Sequence, residues 1–321
     1  MNQWLHRMQW KWITGLLAAA LAIVLGVLYH IGRSDVDAAF RIGATYMTMN
    51  NPFYSVIDEE LRLKIESRGD ILLTRDPALD QEKQNMQVHE LLEEGIDLLV
   101  LNPVNYQQVQ SALEEAKEAG VPVVVVDSQV SDTDLVACTI TSDNYGAGVL
   151  CAQHLMRTRD SAHIVLLEHP TAQSAVDRIQ GFCDTIADQP AYQIVGRANS
   201  EGQLEIAMPE LSALLEKGKQ IDTIMALNDP TAMGAMAALE EHMVLDQTLV
   251  YGVDGAPEAK SMIAEGSLTG TVAQFPIRIG QTTAQTIYQI LSGESYPSDI
   301  TIPVELITSE NLDEFDIDGW Q

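Results

Sequence analysis

Residues 95–128 read GIDLLVLNPVNYQQVQSALEEAKEAGVPVVVVDS. The mainly apolar run 96–101 is too short and too rich in branched side chains for a helix, and it stops at Asn102-Pro103, the signature of a buried strand. Val104, Val109, Ala112, Leu113 and Ala116 recur at three- and four-residue spacing, with Glu114, Glu115 and Lys117 outside. They predict an amphipathic helix that starts at Val104 and ends at Gly120. Residues 121–126 form a second buried strand that stops at Asp127. Two buried strands joined by a crossover helix make a parallel unit. Asn102 and Asp127 then sit at the carboxyl ends of parallel strands, where open α/β sheets bind ligands.

The same rhythm runs outward in both directions. Upstream, strand 41–46 is followed by Asn51-Pro52, a helix N-cap with proline at the first helical position. Helix 56–67, strand 71–74 and helix 80–94 lead into the unit. Downstream come strand 136–141 and a helix over 145–157 capped by Ser142-Asp143-Asn144. A second series follows, with strands at 163–167, 192–196, 223–227, 248–253 and 269–273 and helices between them. Helix 279–291, strand 300–306 and an acidic, irregular tail over 310–321 end the chain. Two successive α/β series predict two similar doubly wound parallel-sheet lobes with a crevice between them. No low-complexity linker separates the series, so the chain is expected to cross between the lobes more than once.

Residues 13–29 are apolar throughout, preceded by Arg7 and Lys11 and followed by Arg33, Asp35 and Asp37. The run is close to the shortest that spans a bilayer and longer than a usual signal-peptide core. It predicts one N-terminal transmembrane helix, an uncleaved signal anchor over 1–39, with the rest of a single-pass protein on the extracytoplasmic side of the cell membrane. A cleaved export signal is the competing reading. Across 321 residues the net charge is −28, which repels phosphate backbones and excludes nucleic acid as a partner. Cys138, Cys151 and Cys183 lack CxxC spacing and read as buried, inert thiols. No hydrolase elbow, metal-binding His pair or phosphate loop occurs, so neither an enzyme, a metal nor a cofactor is expected.

The strand ends collect Asn51, Asn102, Asp127, Asn228, Asp254 and Gln274, all polar and none cationic. Amides donate and accept, and carboxylates accept from hydroxyls, so the set suits a small neutral sugar or polyol. Phe53 and Tyr54 offer faces for the C–H side of a sugar ring. Each has a blander explanation: Asn51 and Asn102 precede prolines where capping alone would select them, and Asp254-Gly255 is an ordinary turn dipeptide. Their common placement at one sheet edge sets the group apart.

With these residues the chain resembles the type I periplasmic binding proteins, especially the ribose-binding and related sugar-binding members. The motifs are NNPFY at 50–54, GIDLLVLNP at 95–103, GVPVVVVD at 120–127, TSDNYGAG at 141–148, DRIQGF at 177–182, ALNDPTAMGAMAAL at 226–239, YGVDGAPE at 251–258 and TVAQFPIRIG at 271–280. The resemblance implies a three-crossover hinge near Ser142, Gln274 and Glu305, with one lobe of 40–142 plus 275–305 and the other of 143–274 plus 306–321. It also implies contacts to one sugar from Asn51, Phe53, Tyr54, Asn102 and Asp127 in the first lobe, and from Arg178, Asn228, Asp254 and Gln274 in the second lobe and hinge. Ser128 stands where pentose and hexose binders usually carry arginine and is taken as a ligand position. Met47 replaces an early serine and Ser200 an aromatic residue. The implied role is a monomeric receptor for an ABC permease. The alternative is an anchored sensor that reports to a histidine kinase or other membrane partner.

Overall fold

The parallel unit of residues 95–128 lies inside a six-stranded sheet. The structure, a computed structural model, describes residues 39–321. β1 (Arg41–Thr45), β2 (Ile71–Arg75), β3 (Leu98–Leu101), β4 (Val123–Val126), β5 (Cys138–Ser142) and β11 (Asp299–Ile302) lie in the order β11-β5-β4-β3-β1-β2, every pairing parallel. β3 and β4, LLVL and VVVV, are buried along their whole lengths. One face is covered by α2 (Gln81–Glu93) and α3 (Gln110–Glu118), which pack Val88, Leu91, Ala112 and Leu113 on the sheet. On the other, α1 (Pro52–Glu66) packs on α9 (Pro276–Leu291), and α9 meets β4 and β5.

The second sheet holds β6 (Ala162–Glu168), β7 (Tyr192–Asn199), β8 (Thr223–Ala226), β9 (Leu249–Asp254), β10 (Gly270–Ala273) and β12 (Glu305–Thr308), ordered β12-β10-β9-β8-β6-β7. All its pairings are parallel except β12 against β10. α4 (Asn144–Thr158) and α5 (Gln173–Ile186) bury Leu155 and Phe182 on one face. α6 (Leu204–Leu215), α7 (Asp229–Glu241) and α8 (Pro257–Glu265) bury Leu211, Leu239 and Ile263 on the other. The chain leaves the first sheet after β5, returns after β10 into α9, and crosses again between Ile302 and Glu305.

Three predicted elements differ from the structure. The strand expected over 300–306 is two strands, β11 and β12, one in each sheet. Pro303 cannot donate to a ladder, and the chain changes sheets there. The helix expected from Val104 begins at Gln110 instead. Glutamines of α2 hold the intervening loop: Gln84 Oε1 accepts from Val104 N at 2.9 Å and Gln81 Oε1 from Asn105 N at 2.7 Å. The tail after β12 has one short turn, and it is docked: Leu312, Phe315 and Trp320 pack on the second lobe's core. The three cysteines are unpaired, with Cys138 and Cys151 buried and Cys183 only half-buried. Among the described residues no helix is long and apolar enough to cross a membrane. The predicted anchor over 13–29 lies outside the described residues.

Candidate functional site

The carboxyl ends of the two sheets face each other across a narrow cavity with about 410 Å³ of atom-free space, its open side included. From the first lobe Met47, Thr48, Asn51, Phe53, Tyr54 and Asp127 line it. From the second come Arg178 on α5, Asn228 after β8, Asp254 at the end of β9, Gln274 after β10, and His169, Glu201 and Gln203 from the loops after β6 and β7.

Two buried carboxylates define its chemistry. Asp127 has φ 64° and Asp254 φ 139°, conformations that cost a non-glycine residue about 1–3 kcal/mol and that cluster at functional sites. Asp127 Oδ2 accepts from Tyr54 Oη at 3.0 Å and Asn102 Nδ2 at 3.3 Å, while its Oδ1 accepts no hydrogen bond. Asp254 Oδ1 accepts from Gln274 Nε2 at 2.8 Å, and its Oδ2 is likewise unpaired. Arg178 lies between them, 3.9 Å from each carboxylate, too far for a direct hydrogen bond. Its guanidinium is fixed from behind, donating from Nε to Asn144 Oδ1 at 2.8 Å and from Nη1 to Leu227 O at 2.9 Å.

Burial is the main force on the titrations. It raises Asp127 above the usual carboxylate range against the pull of Arg178. It pushes Asp254 up to about 8, with the nearby charge of Asp229 adding to the effect. Asp229, buried beneath the cavity, is pushed up to about 6 although it accepts from Thr271 Oγ1 at 2.6 Å and Ala256 N at 2.8 Å. His169 is driven down to about 4 by burial and is neutral at pH 7. Among the described residues, nine buried side-chain polar atoms lack a hydrogen-bond partner. Four of them, Asp127 Oδ1, Asp254 Oδ2, Gln274 Oε1 and His169 Nε2, belong to residues of this one cavity. Buried polar groups are rarely left unsatisfied, and nearly half of those among the described residues are gathered at this one cavity.

Of the sequence-predicted site residues, Asn51, Phe53, Tyr54, Asp127, Arg178, Asn228, Asp254 and Gln274 line the cavity. Asn51 and Asn228 also cap α1 and α7, accepting from Phe53 N and Thr231 N at 3.0 Å each. Asn102 does not reach the cavity and caps no helix. It sits one layer below, accepting from Met47 N at 3.0 Å and donating to Val126 O and Asp127 Oδ2, so it positions the carboxylate. Ser128 is fully buried, and its Oγ accepts from Ser174 N of the other lobe at 3.1 Å. Ser200 is buried against Glu168 O and Thr231. Sequence reasoning passed over His169, Glu201 and Gln203; the strand-end rule, applied to β6 and β7, would have found them.

The lobes meet through backbone and side chains. Besides the Ser128–Ser174 bond, Tyr106 N donates to Thr171 O at 3.1 Å and Asn50 Nδ2 to Gln203 Oε1 at 3.2 Å. The structure is therefore the closed form of a two-lobed molecule.

Known proteins share this architecture. A family model described as a periplasmic binding protein domain matches residues 42–295. The ribose import binding protein RbsB of Bacillus subtilis (strain 168) is 30% identical over 273 residues, 84% of this chain and 88% of that protein. An ABC transporter solute binding protein from Mycobacterium smegmatis, solved with bound glycerol, superposes with a TM-score of 0.82 at 30% identity, covering 86% of this chain and 96% of that one. The fructose binding periplasmic domain of a hybrid two component system shares the fold, with a TM-score of 0.81 at 23% identity over 86% of this chain and 92% of that chain. Two lobes closed on a cavity of buried acids and amides, with eight sequence motifs in order and a family match over most of the length, make this chain a member of the type I periplasmic binding proteins, which bind substrates and do not transform them.

Proposed function

We propose that this protein is an extracytoplasmic receptor for a small neutral sugar or polyol, held in the interlobe cavity and delivered to an ABC permease. The unpaired Asp127 Oδ1 and Asp254 Oδ2 on either side of Arg178 carry this reading. Each accepts a ligand hydroxyl, and the guanidinium, 3.9 Å from Asp127 Oδ1 and from Asp254 Oδ1, keeps donors free for the same ligand. Asn51, Asn228 and Gln274 add amide contacts, and Phe53 and Tyr54 the apolar side. The ribose and glycerol carried by the relatives belong to the same chemical class.

A thermal-shift screen of the full chain in detergent, against monosaccharides, inositols, linear polyols and amino acids, tests the reading. At a hundredfold excess over Kd a ligand adds about 2.7 kcal/mol to the folded state. At least one neutral polyol is expected to raise the melting temperature. A shift confined to amino acids or anions would defeat it.

A second reading keeps the same ligand and changes the partner. The apolar run over 13–29 would hold the receptor at the membrane, where the closed lobes signal to a sensor kinase. The sensor domain of the same fold supports it. Membrane fractionation of the full chain and of a version starting at residue 40, with copurification of the partner, separates permease from kinase.

A further inference from the structure

The polar cavity does not end at its own walls. Asn51, Gly202, Gln203 and Asp254 also line a second compartment, which has about 780 Å³ of atom-free space including its open side. Its other walls are mainly apolar: Trp320, Met233, Leu204, Pro230, Pro52 and Ala256. Pro52 comes from the first lobe and the rest from the second, so the compartment is complete only when the lobes are closed. The Asn50–Gln203 bond joins the lobes at its edge.

Trp320 belongs to the irregular tail, and two contacts fix it there. Lys260 on α8 is fully buried and donates from Nζ to the carbonyls of Asp316 and Gly319, the latter at 2.5 Å, which pins the tail to the second lobe. The indole itself packs edge-on against Phe53 of the first lobe, ring centroids 6.0 Å apart and planes at 62°. An acidic tail over 310–321 has no intrinsic reason to order an indole at the mouth of a polyol cavity. Here a buried lysine holds it there.

Resting on the polyol reading above, we infer that this second compartment is a ligand subsite and that the natural ligand is a glycoside: a polyhydroxy ring in the polar cavity carrying a flat or alkyl apolar substituent against Trp320. The junction favours such a ligand. Asp254, whose buried Oδ2 has no hydrogen-bond partner, lines both compartments and offers an acceptor to a ring hydroxyl near their junction. Glu205 and Glu258 line the subsite as well and exclude phosphorylated or carboxylated substituents. The stacking face missing at Ser200 lies instead at Trp320, and a substituent held there touches both lobes and adds to closure.

Isothermal calorimetry on the full chain in detergent tests the inference, comparing each free sugar or polyol that binds with its methyl and phenyl glycosides. The expected result is at least about tenfold tighter binding of the phenyl glycoside, the worth of burying a few apolar carbons. In Trp320→Ala that affinity ratio falls to about one, Trp320→Phe restores much of it, and Met233→Glu, on a helix independent of the tail, lowers it too. Equal affinity for free and substituted ligands in the wild type, or an undiminished ratio in both Trp320→Ala and Met233→Glu, overturns the subsite while leaving the polyol reading intact. Failure of every plain and substituted compound overturns both.

Discussion

Asp254 concentrates the consequences of burial at a single carboxyl. In the empty protein it keeps its proton up to about pH 8, because burial disfavours the charged form and Asp229 lies nearby. The stability that this raised value confers is complete below the unfolded carboxyl's value of about 3.9 and is lost as the pH climbs to about 8. A ligand hydroxyl donated to Oδ2 favours the carboxylate, so binding expels a proton inside that window and affinity rises with pH toward 8. Calorimetry near pH 6.5 in two buffers of different ionisation enthalpy should show net proton release; affinity flat from about pH 5.5 to 8 would refute the assignment. Asp254→Ala should weaken binding by about 2–5 kcal/mol. Its melting temperature should hold or rise, since the variant loses a buried, partly unpaired carboxyl rather than a packed core group. A variant that binds normally would place the ligand elsewhere.

α4 and α5 approach more closely than any side chain permits. A Cβ on Gly148 would lie 1.8 Å from Arg178 O and 2.7 Å from Phe182 N, and one on Gly181 would lie 2.1 Å from Tyr145 O. This contact seats α5 and with it Arg178. Gly148→Ala must push the helices apart, at a cost of about 1–3 kcal/mol in urea denaturation, and should weaken ligand binding as well because the guanidinium moves with the helix. Unchanged affinity with reduced stability would mean that Arg178 tolerates the shift. At this level the sequence was readable where neighbours in the chain decide the outcome: Asn51-Pro52 starts a helix as its chemistry dictates. It misled at Val104, where apolar spacing continued but Gln81 and Gln84 from another helix held the segment as a loop.

Closure is a property of the two lobes together. The Ser128–Ser174 and Asn50–Gln203 bonds and the Phe53–Trp320 contact exist only between lobes, so they belong to the closed state alone. Ser128→Ala removes the acceptor for the Ser174 amide and should cost that state about 0.5–1.5 kcal/mol. The expected readout is a roughly two- to tenfold weaker affinity, expressed as faster dissociation in stopped-flow fluorescence, with the unfolding of the empty protein little changed. An unaltered dissociation rate would show that this bond does not contribute to closure. The net charge of −28 acts on the same molecule as self-repulsion, and added salt should screen it.

Residues 95–128 were enough to establish parallel α/β architecture, because short branched apolar runs and glycine or proline stops are local signals. They also placed Asp127 at a strand end. Which polar side chains reach the ligand was decided by packing between segments distant in the chain. Asn102 and Asp127 end adjacent strands, yet only Asp127 faces the cavity, since Met47 N and Val126 O claim the Asn102 amide. His169 and Gln203 carry no motif and enter through the loops that the second sheet aims at the first. The tail reads as acidic and irregular until Lys260 binds its carbonyls and sets Trp320 beside Phe53. Local composition specifies elements and their ends; only the folded chain specifies which of those ends share a cavity, because that depends on hydrogen bonds and contacts no short window contains.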